Sequence, residues 1–258
     1  MKTEVLKNID IAKGNLILVN REYSYRGDIS EKALVAIDDK NKKVLLEERI
    51  ACIFKKLIEE LCAFEDITAI SGWRSQLEQE RIYKSSALDN GAEFTKKFVA
   101  LPGHSEHQTG LAIDLALKAT NIDFLRPNFP YTGVCKAFRK KALRFGFVER
   151  YPKGKESITD IAHEPWHFRY VGSPHSEIIM QFGFALEEYI AFLKQYPYGG
   201  TPFIYNLAGY KTEVSYLAAE KGVKTPLEIS DDFPYLVSGN NIDGFIITVW
   251  KSEKRISS

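Results

Sequence analysis

The seven residues Leu111-Ala-Ile-Asp-Leu-Ala-Leu117 alternate strictly, and a period of two is the signature of a β-strand. Leu111, Ile113, Leu115 and Leu117 share one face, while Ala112, Asp114 and Ala116 share the other. An aspartate whose own face is otherwise alanine leaves room for an ion or a ligand, whereas a solvated face more often carries longer polar side chains. Upstream, Pro102-Gly103 marks a turn and His107 follows it. Imidazole nitrogen and carboxylate oxygen are both Zn²⁺ donors, and a catalytic zinc site usually takes three protein ligands and leaves a fourth position open. His107 and Asp114 are therefore candidate ligands, and a third must come from elsewhere. Five histidines occur in 258 residues, and the other cluster is His163-Glu-Pro-Trp-His167.

Composition narrows the classes. A chain of 258 residues with 45% apolar residues suits one large domain, or one domain and a small satellite, with enough bulk for a substantial core. Thirty-five Lys and Arg against 34 Asp and Glu leave a net charge of +1, so no field points to nucleic acid or an anionic membrane. The N-terminal residues include acidic side chains where a secretory signal needs an apolar run, and no segment approaches the ~20 apolar residues needed to span a bilayer. The expectation is a cytoplasmic protein without stable membrane association. Cys52, Cys62 and Cys135 are odd in number and lack CxxC spacing, which disfavours a disulfide framework and a thiolate metal site; they read as buried free thiols.

Taken in order, residues 15–24 read as an early strand or extended arm. Leu46, Ile50, Ile53, Phe54, Leu57, Ile58, Leu61 and Phe64 recur at three and four, the stripe of an amphipathic helix. Ile67 to Ser71 reads as a strand ending at Gly72, and Ser75-Gln-Leu-Glu78 as a capping box that opens a helix over 76–88. Arg74 then sits at a strand-to-helix junction, with Gln79 one turn into the helix. Residues 121–132, with two prolines and several aromatics, read as a loop over the site. Thr132 caps a helix stopped by Gly146, and strands are expected at 147–151 and 158–163, joined as a hairpin. Ser173-Pro174 opens a long helix to Leu193. His175 in its first turn reads as surface. Tyr196 to Pro202 is the best linker, dividing a main domain at 1–195 from an α/β appendage at 196–258. In that appendage a helix is expected from Thr212 to Lys221 and a hairpin loop at 239–244.

The second histidine cluster matches H-E-x-x-H literally, the helix motif in which two histidines one turn apart bind zinc. Pro165 lacks an N–H and pushes Glu164 toward extended geometry, and the flanking Ile158, Ile161, Phe168, Tyr170 and Val171 favour strand. In an extended chain His163 and His167 lie about 13 Å apart at ~3.3 Å per residue, too far to share an ion. The better set is His107, Asp114 and His167 as ligands, with Glu164 placed to activate water. A flat strand sends residues three apart to opposite faces, so this set requires a bend at Pro165.

These residues carry a resemblance. Ser105-Glu-His-Gln-Thr-Gly-Leu-Ala-Ile-Asp114 fits the S-x-H-x-x-G-x-A-x-D signature, and Glu164-Pro-Trp-His167 the E-x-W-H signature, of the D-Ala-D-Ala metallopeptidases of the VanY, VanX and VanXY type. Ser71-Gly-Trp-Arg-Ser75 with Gln79 resembles the S-G-Y-R-S-x-x-x-Q segment of the VanY branch, with Trp73 in place of the commoner tyrosine. The resemblance implies an α+β fold with an antiparallel sheet flanked by helices, shared with lysostaphin-type enzymes and the hedgehog domain. It also implies one Zn²⁺ per chain on His107, Asp114 and His167. Glu164 is then the general base and Arg74 the cation facing the developing oxyanion. Ser105 and Gln79 would hold substrate, and His104 and His163 are supporting or structural residues. The implied substrates are D-Ala-D-Ala dipeptide, the peptidoglycan precursor pentapeptide, or both, an activity that contributes to vancomycin resistance. A lysostaphin-like endopeptidase and a zinc-binding module without catalysis are the alternatives.

Overall fold

The computed structural model describes residues 1–37, 42–207, 209–220, 222 and 224–252. Strand β1 (Lys2–Leu6) comes first, followed by the short antiparallel pair β2 (Leu34–Ala36) and β3 (Leu45–Glu47). Helix α1 (Glu48–Leu61) buries Ile50, Phe54, Leu57 and Ile58, the stripe expected from its spacing. It stops at Cys62, whose backbone is left-handed at φ 51°. β4 (Ile67–Ser71) leads to α2 (Gln76–Asn90), where the Ser75 hydroxyl accepts from the Glu78 amide at 3.2 Å, as an N-cap should. α3 (Ala92–Phe98), β5 (Ala112–Leu117), α4 (Gly133–Ala142) and β6 (Phe147–Tyr151) follow. Next come α5 (Glu156–Thr159), β7 (Glu164–Tyr170), α6 (His175–Phe182) and α7 (Leu186–Leu193). The chain ends in β8 (Phe203–Leu207), β9 (Tyr210–Ala218), β10 (Thr225–Ile229), β11 (Tyr235–Gly239) and β12 (Gly244–Ser252).

Two compact units emerge. The larger, Val19–Leu186, is built on an antiparallel sheet in the order β4-β5-β7-β6. Ile113 of β5 pairs with Phe168 of β7, and Phe168 packs edge-on against Phe138 of α4 with ring centres 4.9 Å apart. Phe54 of α1 joins Phe138 from the other side at 6.3 Å. The leucine and isoleucine face of β5 is thus the core face, and burial of these aromatics supplies much of its cohesion. The opposite face carries Asp114.

The second unit joins Met1–Leu18 to Glu187–Ser258, so it begins earlier than the expected boundary at Tyr196 and recruits the N-terminus. β1 pairs antiparallel with β10, Lys2 opposite Ile229, and a second sheet runs β11-β12-β9-β8. Leu227, Ile229, Phe245 and Ile247 form its core. The hairpin loop expected at 239–244 does join β11 to β12.

Six local expectations are corrected. Residues 212–218 are strand, not helix, because β9 is paired on both sides, with β8 and β12; Lys221 lies outside the described residues. The partner of β6 is β7, not 158–163, where α5 closes at Asp160 with φ 57°. The long helix after Pro174 is divided by Gly183 at φ 64°. His175, expected on the surface, is 1% exposed, and of the cysteines only Cys135 is buried, while Cys52 and Cys62 are exposed. Residues 15–19 are buried, as packing required, but form no strand.

Burial alone lowers the His175 pKa to about 3. The unfolded chain takes up a proton near 6.5, while the folded chain resists doing so until about pH 3, so this residue removes stability as pH falls through that window. His175→Gln is expected to shrink the loss of unfolding free energy between pH 7 and pH 5 relative to the parent, by up to about 1.4 kcal/mol per pH unit for one proton. Denaturant titrations at the two pH values measure this, and an unchanged difference would assign the acid sensitivity elsewhere.

Candidate metal centre and active site

β5 and β7 run antiparallel with Asp114 directly opposite His167. Directly opposed residues project to the same side of a sheet, so the register alone brings the two side chains together. Ala112 and Ala116 flank Asp114 on its face, and His167 Nδ1 lies 2.9 Å from Asp114 Oδ1. His107 arrives from the 3-10 turn Glu106–Thr109, which ends at Gly110 with φ 71°. A Cβ at Gly110 would stand 2.9 Å from Ile29 Cδ1 and 3.2 Å from the Glu47 amide nitrogen, so glycine is needed for both conformation and space.

The three side chains form one donor set. One ligand atom from each of His107, Asp114 and His167 lies within 4.8 Å of the others, and all three residues are buried. His107 Nδ1 is 2.6 Å from the Gly72 carbonyl, which can only accept, so this nitrogen carries the proton. Burial lowers the His107 pKa, which leaves a lone pair on Nε2 facing Asp114 Oδ2 at 3.1 Å. Two acceptors in contact in a buried place call for a cation between them, and N,O ligands of this kind suit Zn²⁺. Burial opposes ionisation of Asp114, but His107 and His167 outweigh it and hold the carboxyl far below the usual carboxylate range. Burial likewise opposes a charge on His167, yet in the metal-free site Asp114 prevails and raises its pKa to about 9, a proton that a bound cation would displace from Nδ1.

Glu164 opens β7, and the bend that sequence reasoning required is present. The register against β6 shifts between Glu149, opposite Phe168, and Tyr151, opposite Glu164, so four residues of β7 span two of β6. Glu164 Oε2 consequently reaches within 3.9 Å of His167 Nδ1. Arg139 anchors the bend, donating from Nη2 to the Pro165 carbonyl at 2.6 Å and to the Phe129 carbonyl at 2.8 Å. Its Nε pairs with Glu149 at 2.8 Å. Burial pushes the Glu164 carboxyl up to about 8, with His167 opposing the rise.

Arg74, Gln79, Ser105, His107, Asp114, Glu164 and His167 all line one cavity, as do Phe124 and Leu125 of the 121–132 loop. Arg74 is 7% exposed; its Nη1 donates to Gln79 Oε1 at 2.7 Å and its Nη2 to Ser71 Oγ at 2.8 Å. Gln79 is fully buried and spends its Nε2 on the Ala100 carbonyl at 2.7 Å, so both ends of its amide are engaged by the protein. Ser105 sits in the cavity wall, its amide facing Gln108 Oε1 at 3.4 Å. His104 contacts the Asn20 carbonyl through Nδ1 at 2.7 Å, and His163 contacts the Tyr131 hydroxyl at 2.8 Å, both in supporting positions as expected.

Two neighbours escaped the sequence reading. Glu106, between two residues of the signature, is fully buried beside His167, and Tyr151 packs its ring 4.9 Å from the His167 ring. The available signal was the strand period, which puts Arg169 on the same face as His167 and so predicts a buried cation in need of an acid.

An antiparallel sheet carrying a histidine and a carboxylate, completed by a second histidine from the turn before β5 and lined by a buried glutamate and arginine, defines a metal-dependent hydrolase centre. The chain belongs to the VanY family of D-alanyl-D-alanine carboxypeptidases, whose family model matches residues 43–173 and spans every site residue named above. It is 39% identical over 181 residues to the bifunctional D-Ala-D-Ala dipeptidase and D-Ala-D-Ala carboxypeptidase VanXYC of Enterococcus gallinarum, covering 70% of this chain and 95% of that one. Its fold is similar to the vancomycin-resistance D,D-dipeptidase VanXYg in complex with a D-Ala-D-Ala phosphinate analogue. That match has a TM-score of 0.93 and 46% identity and covers 97% of this chain and 99% of that one. A variant of the D,D-pentapeptidase VanY from a VanB-type cassette, solved with Zn(II), matches with a TM-score of 0.55 and 30% identity over 68% of this chain and 98% of that one.

Zn²⁺ is expected to raise the thermal midpoint of metal-free protein, since a ligand at 100 times its Kd stabilises by about 2.7 kcal/mol. Differential scanning with and without chelator measures it. His167→Ala is expected to abolish the rise, and an equal rise in that variant would place the ion elsewhere.

Proposed function

We propose that the chain is a zinc D,D-peptidase holding one Zn²⁺ on His107, Asp114 and His167. It would hydrolyse D-Ala-D-Ala dipeptide, remove the terminal D-alanine of the peptidoglycan precursor pentapeptide, or do both, and so contribute to glycopeptide resistance. The observation that carries this reading is the presence of Glu164 and Arg74 in the same cavity as the three ligands. A zinc that only stabilised a binding module would need neither. The substrate is supported by the printed activities of the relatives, one of which combines dipeptidase and carboxypeptidase action. The cytoplasm is the proposed compartment, supported by three unpaired cysteines.

When bound, zinc supplies a Lewis acid that polarises a carbonyl and acidifies water. Glu164 takes the proton from the attacking water at its carboxylate. As the C–N bond breaks, it passes that proton to the departing D-alanine amine, and the water oxygen stays on the new carboxyl carbon. A base held in an apolar pocket with a raised pKa is suited to both halves of this transfer. Arg74 faces the carbonyl oxygen as negative charge grows on it. Because Ser71 and Gln79 already fix two of its nitrogens, the guanidinium needs little rearrangement during reaction. Gln79 therefore acts through Arg74, and Ser105 lies on the wall that receives the substrate's terminal carboxylate.

D-Alanine release from the dipeptide and from the pentapeptide, with and without chelator, tests the reading. Release from at least one, lost on chelation and restored by Zn²⁺, is expected; no zinc-restorable release from either contradicts it. Glu164→Gln should bind Zn²⁺ normally and lose roughly 10²- to 10⁴-fold in kcat. Arg74→Ala should lose roughly 10²- to 10³-fold. Retained turnover in either variant would remove that residue from its proposed role.

A further inference from the structure

His107 and His167 present different nitrogens to the metal set, and each ring is held by a bond from its other nitrogen. For His107 that bond is to the Gly72 carbonyl at 2.6 Å. For His167 the partner is not backbone. Its Nδ1 faces Asp114 Oδ1 at 2.9 Å, and its Nε2 faces Glu106 Oε2 at 3.4 Å. Glu106 is itself fixed from the far side: Arg150 Nε donates to Oε1 at 2.8 Å and Arg169 Nη1 donates to the same oxygen at 2.6 Å. All three of these side chains are completely buried.

This division of labour within one carboxylate is informative. Both arginines bond Oε1, and Oε2 faces the imidazole. We propose that Glu106 is a positioning residue for the metal site, accepting the Nε2–H of His167 and so fixing the tautomer whose Nδ1 lone pair faces Asp114 and His107. The inference rests on the metal reading above and extends it to a residue outside the ligand set. Arg150 on β6 and Arg169 on β7 act one step further out, by holding the Glu106 carboxylate in place. A ligating histidine whose second nitrogen is bonded to a carboxylate is both oriented and made a stronger donor, and losing such a partner typically costs about 10- to 100-fold in metal affinity.

The test compares Zn²⁺ affinity of the parent and Glu106→Gln by competition with a chromophoric chelator, the fold of both being checked by circular dichroism. A folded variant that binds Zn²⁺ about 10- to 100-fold more weakly is expected. Parental affinity in a folded variant overturns the proposal and leaves only a structural ion triad. Removing the acid between two buried arginines also threatens folding, so a second measurement uses the unaltered chain. In the zinc-loaded, ¹⁵N-histidine-labelled protein, long-range ¹H–¹⁵N correlations should show His167 protonated at Nε2 and ligating through Nδ1, with His107 the reverse. Ligation of His167 through Nε2 overturns the proposal. A parent that takes up no Zn²⁺ overturns the metal reading itself, and is distinguished because the loss is then common to both chains.

Discussion

The antiparallel pairing of Asp114 with His167 is the constraint on which the site depends. A slip of one residue between β5 and β7 would turn Asp114 toward the phenylalanine core and bring Ile113 to the cavity. The register is held from the core side by Ile113 opposite Phe168, whose ring is locked against Phe129 and Phe138. Apolar packing on one face of the sheet therefore fixes the distance between two polar groups on the other. The same face receives His107 from a turn that closes at Gly110, whose left-handed backbone and crowded surroundings favour glycine.

Around this pair the cavity concentrates ionisable groups that a core would ordinarily exclude. Asp114, Glu106 and Glu164 are buried with Arg74, Arg150 and Arg169. Burying charges is costly unless each is paired and hydrogen-bonded, and the solutions differ here. Glu106 stays ionised between two arginines, which outweigh the cost of its burial. For Glu164, His167 and Arg74 only partly offset burial, which drives its pKa upward instead. Two carboxylates in one cavity are thus set to opposite behaviour by their surroundings, one permanently charged and one ready to exchange a proton. Arg139 lies outside the cavity, yet by binding the Pro165 and Phe129 carbonyls it ties the bend beneath Glu164 to the end of the loop that lines the site.

Much of this was legible in the sequence where the governing signal is local. The alternation through Asp114, the helical stripe from Ile50 to Ile58, the Ser75 cap and the disruption caused by Pro165 all express the preferences of neighbouring residues and appear in the fold, although Leu46, read as the start of that helix, belongs to β3 and Phe64 lies beyond its end. What escaped depends on distant partners. Thr212 to Ala218 carries Val214, Leu217 and Ala218 at helical spacing, and only pairing with β8 and β12 makes it a strand. Strand β1 joins the C-terminal unit through β10, a pairing that no local pattern announces. Glu106 finds its arginines 44 and 63 residues away. His175 looked like a surface residue at the start of a helix, but the neighbouring Ser176 bonds the Leu143 carbonyl and draws that turn into the core.

The central claim is that one ion sits where β5, β7 and the turn before β5 converge. Crystals of the zinc-loaded protein, measured on both sides of the zinc absorption edge, test it most directly. The account predicts a single anomalous peak in contact with His107 Nε2, Asp114 and His167 Nδ1, at about 2.0–2.2 Å from each ligand atom. A peak held by other residues, or one that leaves out Asp114 or His167, would contradict it.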